Sequence, residues 1–256
     1  MNKLRNAFED RKAFIAYLTA GDPDLDTTKE LILTMEKTGA DIIEIGMPYE
    51  SIPTELTDLV ESNQRALDAG TTVEDIFNMI LGLTKRIRVP LVVLAYLETI
   101  KEYGISRFMR KCKECNIAGL VVPDLESSQE REITRDCDLF GVDLISIIHP
   151  GSRDEIAAIA KRAKGFIYCE SSLEEINMNG KTDFREMVAI IRGNANVPCV
   201  MGFGIMTLDQ AKDMATISDG VVIVNGIVRA VGEYGKECIT PVREYVRAMR
   251  AALRHA

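Results

Sequence analysis

A single (β/α)₈ barrel, the TIM-barrel class, is the fold this sequence predicts, on three observations. Its 256 residues are many for one hydrophobic core but usual for an undivided eightfold α/β barrel. Short apolar runs alternate with amphipathic stretches along the whole chain, giving eight β-then-α units. Most of the runs are rich in Val and Ile and continuously apolar, as expected of parallel strands covered on both faces. A doubly wound open sheet also alternates strand and helix, but it usually carries fewer units. The turn after the first run, Gly21-Asp22-Pro23, is also no dinucleotide-binding glycine loop. One barrel domain is therefore expected over residues 1–256.

The first strand is expected at Ala13–Thr19 (AFIAYLT) and the second at Ile42–Ile45. Between them, Asp26-Thr27-Thr28 can cap a helix that runs to Lys37 and stops at Gly39. The interval from Gly46 to Pro90 is the widest, with room for an extended loop and helices over Asp58–Asp68 and Val73–Ile87. The third strand falls at Leu91–Leu94, a helix at Ile105–Asn116, and the fourth strand at Gly119–Val122. Ser127-Ser128-Gln129-Glu130 opens a helix ending near Phe140-Gly141, followed by the fifth strand, Leu144–Ile148. Ser152 and Glu155 have capping-box spacing, as do Thr207 and Gln210 before the helix Ala211–Thr216. Gly165–Tyr168, Pro198–Met201 and Gly220–Val224 complete the strands. Arg229–Arg254 closes the chain as one helix, its basic, alanine-rich end from Val246 reading as a solvated face.

Composition narrows the function. A net charge of −8 argues against a nucleic-acid binder, which normally presents a basic surface. No apolar run approaches the roughly 20 residues of a membrane span. Met1-Asn2-Lys3-Leu4-Arg5 leads into charged sequence without a secretory apolar region, so a cytoplasmic location is expected. Six cysteines in a chain this long do not suggest a disulfide framework, and buried thiols are the expectation. Cys112-Lys113-Glu114-Cys115 has CxxC spacing, but inside a helix that spacing only puts both thiols on one face. The only histidines are His149 and His255, and no metal site is expected.

Barrels keep their chemistry in the loops at the carboxyl ends of the strands. Glu44 lies within the apolar run Asp41-Ile42-Ile43-Glu44-Ile45-Gly46. A carboxylate there is costly unless it is paired or does work, and desolvation would raise its pKa toward that of a proton carrier near neutrality. Asp124, after the fourth strand, reads equally well as a functional or a loop-bracing carboxylate. His149 ends the fifth strand, more as a satisfied strand-end residue than as a pocket acid or base. Gly202-Phe203-Gly204-Ile205 and Val224-Asn225-Gly226 follow the last two strands, where barrels often hold phosphate with backbone N–H groups.

Five segments recur in the order and spacing of one family. They are Tyr17–Pro23 (YLTAGDP), Glu44–Pro48 (EIGMP), Val121–Leu125 (VVPDL), Phe166–Tyr168 (FIY) and Gly202–Ile205 (GFGI). Across nearly the whole chain the sequence resembles the tryptophan synthase α-subunit family. That resemblance implies a TIM-barrel lyase of tryptophan biosynthesis that splits indole-3-glycerol phosphate into indole and glyceraldehyde 3-phosphate. It implies no cofactor in the α subunit, and a PLP-dependent tryptophan synthase β subunit as the partner that receives indole. Carried over by position, Glu44 is the acid–base residue and Glu55 the second catalytic carboxylate. Tyr17, Tyr96 and Tyr168 line the substrate pocket, and Gly204 and Asn225 belong to the phosphate site. Three stretches depart from the family pattern: the loop Pro48–Val60, the segment Glu170–Gly180, and the Val224-Asn225 pair. Glu98 stands where the family has asparagine. Two other readings stay open on sequence alone. One is a divergent barrel enzyme for a different, unphosphorylated small molecule; the other is a non-catalytic barrel that binds or regulates a partner.

Overall fold

The structure, a computed structural model, describes residues 3–53, 57–170, 184–202 and 207–254. Its strands are β1 (Ala13–Thr19), β2 (Ile42–Gly46), β3 (Leu91–Leu94), β4 (Ile117–Val121), β5 (Asp143–Leu144), β6 (Ser146–Ile148), β7 (Ile167–Glu170), β8 (Cys199–Gly202) and β9 (Gly220–Ile223). All pairings are parallel, in the order β5-β4-β3-β2-β1-β9-β8-β7-β6. The two ends of that order are one expected strand in two pieces, interrupted only at Ile145. Its first piece pairs with β4 and its second with β7, so the sheet closes on itself as the predicted barrel.

The helices are α1 (Lys3–Asn6), α2 (Leu25–Thr38), α3 (Thr57–Asp68), α4 (Val73–Leu83), α5 (Leu97–Tyr103), α6 (Ile105–Glu114), α7 (Ser127–Phe140), α8 (Arg153–Arg162), α9 (Phe184–Asn194), α10 (Leu208–Ile217), α11 (Asn225–Tyr234) and α12 (Ile239–Leu253). Ser152–Glu155 and Thr207–Gln210 form the expected reciprocal capping boxes. The helix expected at Ile105–Asn116 forms as α6, and a further helix, α5, precedes it; Gly104 between them, at φ +90°, takes a conformation that L side chains rarely adopt. Three expectations need correction. The cap of α2 is Asp24, whose Oδ1 accepts from the Thr27 N–H at 2.7 Å, while Thr28 Oγ1 donates to the Asp24 carbonyl. The final helix is interrupted by a 3₁₀ turn at Gly235–Cys238. Its basic end is no purely solvated face: Val246, Met249, Arg250 and Leu253 are buried.

Strand alternation sorts the side chains into two apolar layers. Phe14, Ala16, Leu18, Ile43, Ile45, Leu91, Val93, Ile167, Cys169, Val221 and Ile223 face outward and pack beneath the helices. Ile15, Tyr17, Ile42, Val92, Leu94, Phe166, Tyr168, Val200 and Val222 face inward and fill the barrel. At the amino end of the strands, fully buried Leu4 of α1 plugs the interior. There too the Asp41 carboxylate accepts from the Phe14 N–H (2.8 Å) and from Arg250 Nη1 (2.6 Å), and pairs with Arg11 (2.6 Å). This ties the last helix to the start of β2. The six cysteines are free and buried, as expected. Cys115 Sγ donates to the Phe77 carbonyl at 3.3 Å, and burial pushes its thiol up to about 11.

Candidate active site

Period-2 alternation along β2 puts Ile42, Glu44 and Gly46 on the inner face, since Ile43 and Ile45 pack outward. Glu44 is fully buried. It is in register with Tyr17 of β1 on one side and Val92 of β3 on the other, so it sits within the inner layer of side chains. It stands at the middle of β2, one inward-facing position before Gly46 at the carboxyl end, the end at which barrels carry out their chemistry.

Tyr17 and Tyr168 also face inward, each lying over a glycine of a neighbouring strand. A Cβ on Gly46 would fall 2.6 Å from Tyr17 Cζ, and one on Gly202 would fall 2.7 Å from Tyr168 Cζ. Those strand-end glycines therefore provide the space in which the phenol rings lie. Tyr17 Oη is 3.4 Å from Thr19 Oγ1. Burial raises the Tyr17 pKa well above the phenol range, and the nearby Glu44 charge adds to this, so the ring stays neutral.

Tyr96, beyond the end of β3, belongs to the same inner layer. Its ring stacks on Tyr49 with centroids 4.4 Å apart and planes at 20°. Tyr49 is fixed twice more: its N–H donates to Asn63 Oδ1 of α3 (2.9 Å), and its hydroxyl donates to Glu98 Oε2 (2.7 Å). Asp124 Oδ1 accepts from the Leu97 N–H at 2.9 Å, capping α5. Of its two sequence readings, loop bracing is therefore the one with a bonding partner in the fold.

Asn225 is half-buried and begins α11, directly after the Val224 that follows β9. Because β9 pairs with β1, this places Asn225 on the rim near Tyr17. Glu55 and Gly204 lie outside the described residues. His149 is exposed just beyond β6.

One anchor escaped the sequence reading. Asp22, read only as part of a turn, is buried and accepts both Arg65 Nε and Nη2 at 2.8 Å, and Ser62 Oγ at 2.5 Å. It thereby ties the loop after β1 to α3, which covers the mouth with Leu59 in the inner layer. The available sequence signal was an acid followed by proline directly after a strand.

The family model for the tryptophan synthase alpha chain matches residues 4–254. The tryptophan synthase alpha chain of Thermoanaerobacter sp. (strain X514) is 34% identical over 262 residues, covering 99% of this chain and all of that one. That of Lacticaseibacillus casei is 35% identical over 258 residues, covering 99% and 96%. Among solved structures, the tryptophan synthase subunit alpha of Legionella pneumophila str. Paris superposes with a TM-score of 0.88 at 25% identity, covering both chains completely. With a barrel of this topology and a family match over almost its whole length, the chain belongs to the tryptophan synthase alpha chain family.

Proposed function

We propose that this chain cleaves indole-3-glycerol phosphate to indole and glyceraldehyde 3-phosphate, with Glu44 carrying the proton. The observation that supports the role of Glu44 most directly is a fully buried carboxylate on the inner face of β2 in a chain of this family. Breaking the bond between indole C3 and the glycerol chain requires a proton on C3 and removal of one from the adjacent hydroxyl. The electron pair of the broken bond then returns to the indole ring, and the oxygen becomes the aldehyde. One carboxyl group can donate the first proton and accept the second, provided its surroundings hold its pKa near the working pH. Burial in the inner layer, in register with Tyr17 and Val92, takes the carboxyl group out of water.

Tyr17, Tyr96 and Tyr168 offer aromatic surface to a planar indole. Glu55 serves as the second carboxylate, balancing positive charge that develops on the indole nitrogen. Gly204, which follows β8 in the sequence, and Asn225, at the start of α11, hold the phosphate in this reading through backbone N–H groups. The partner in this reading is a PLP-dependent tryptophan synthase β subunit, which receives the indole. Among the described residues no helix is long and apolar enough to cross a membrane.

Released indole is uncharged whereas the substrate carries a phosphate, so extraction into an organic solvent separates product from substrate before it is measured. Purified chain supplied with indole-3-glycerol phosphate should release indole, with or without added β subunit. Glu44→Gln should lower kcat by about 10²- to 10⁴-fold, the usual contribution of a positioned acid–base group. No indole under either condition would overturn the reaction; undiminished turnover by Glu44→Gln would remove Glu44 from its role.

A further inference from the structure

We infer that Tyr49 and Glu98 form a clamp fixing the segment that leaves β2 against the start of α5, making Tyr49 a positioning residue. The inference rests on the reaction proposed above. Tyr49 is five positions beyond Glu44 on the same backbone. Between them, the Met47 N–H donates to the Leu94 carbonyl at 2.8 Å, which continues the β2–β3 ladder. Tyr49 is then held at three points at once. Asn63 of α3 takes its N–H, Tyr96 takes its ring face, and Glu98 takes its hydroxyl.

Each of these partners is itself held in place. Asn63 is buried, and its Nδ2 donates to the Leu59 carbonyl at 2.7 Å, which sets the orientation of its amide. Tyr96 is packed into the inner layer. Glu98 stands in the first turn of α5, where a negative charge is favoured by the helix dipole, and Asp124 fixes that turn through the Leu97 N–H. A phenol donating to a carboxylate makes a charge-assisted bond, stronger than one between neutral groups. The loops after β2 and β3 are thus joined above the inner layer that contains Glu44, and they form one wall of the mouth. Neither the tyrosine hydroxyl nor the glutamate is needed for packing. Phe would preserve the stack, and Glu98 is exposed.

Tyr49→Phe keeps the ring and removes only the bond to Glu98. It should lower kcat about tenfold, equivalent to ~1.4 kcal/mol, and change KM by less than about twofold, because misplacement of bound substrate slows the chemical step. Glu98→Ala should do the same. The double variant should be no worse than either single one, since both remove one interaction. Hydrogen exchange of the peptide spanning Met47–Pro53 should quicken in both single variants, a readout that requires no turnover. Unchanged exchange, or additive losses in the double variant, would overturn the clamp. If the parent chain releases no indole, the proposed reaction fails while the exchange measurement still decides the clamp.

Discussion

Gly46→Ala is the substitution whose effect the inner face of β2 specifies most closely. The added methyl would lie 2.6 Å from Tyr17 Cζ and 2.9 Å from Cε2, with the hydroxyl oxygen nearer still. Ordinary contact begins near 3.4 Å, so the phenol, whose oxygen is nearest, must retreat by more than about 1 Å. It has little space to do so, being 2% exposed and packed in the inner layer. Overpacking of a filled core typically costs about 1–3 kcal/mol. For a chain of this size that is a fall in Tm of roughly 2–4 °C per kcal/mol. Thermal unfolding followed by circular dichroism measures the loss. Gly46→Ala combined with Tyr17→Phe should recover part of it, because the oxygen is the closest obstacle. Tyr17 is in register with Glu44, so a displaced ring should also reduce turnover in the indole assay. An unchanged Tm and unchanged turnover in Gly46→Ala would refute the inward placement of Tyr17 over β2.

Two further outcomes follow from ion pairs. Arg250→Met removes one guanidinium from the buried Asp41 and leaves it Arg11 and the Phe14 N–H, so it should destabilise by about 1–3 kcal/mol in denaturant unfolding, the cost of losing one hydrogen bond to a buried charged group. Adding Asp41→Asn should return part of that stability; a neutral effect of Arg250→Met would show the pair to be idle. Asp24 is held down to about 2 by the Lys236 ammonium and by the Thr27 N–H it caps. Its folded pKa is depressed, so its contribution is present above the unfolded value of 3.8 and is lost as pH falls from there toward 2. Solvent screens the ion-pair part, leaving mainly the cap, so Asp24→Ala should cost about 1 kcal/mol at neutral pH. The acid limb of its stability curve should flatten between those pH values; an unaltered limb would count against the assignment.

The wall that Tyr49, Tyr96 and Glu98 build bears on how this chain departs from its relatives. The resemblance read from the sequence implies that the loop after the second strand differs from the family pattern along most of its length. Even so, Tyr49 in that loop is held by a hydrogen bond to α3, a ring stack and a carboxylate. Loop sequence can therefore diverge while the backbone leaving β2 remains fixed, because the contacts that hold it come from α3 and from the segment after β3.

Local chemistry made much of this protein readable in its sequence. Parallel strands covered on both faces must be continuously apolar, so all eight runs could be found, and the carboxylate at Glu44 stood out because it interrupts one of them. The boxes at Ser152 and Thr207 were legible because both partners lie within one turn. Tyr17, Tyr96 and Tyr168 were reached through a family resemblance, as nothing in their spacing says that they meet. Tertiary structure alone decided the rest. The cap of α5 comes from Asp124, 27 residues away, and Asp41 meets Arg250 across 209 residues. The break at Ile145, the Asp22–Arg65 tie and the bond from Tyr49 to Glu98 are of the same kind. Periodicity and capping act over a few residues and are written in adjacent letters. Barrel closure brings distant segments to one rim, and which side chains then bond depends on register and reach.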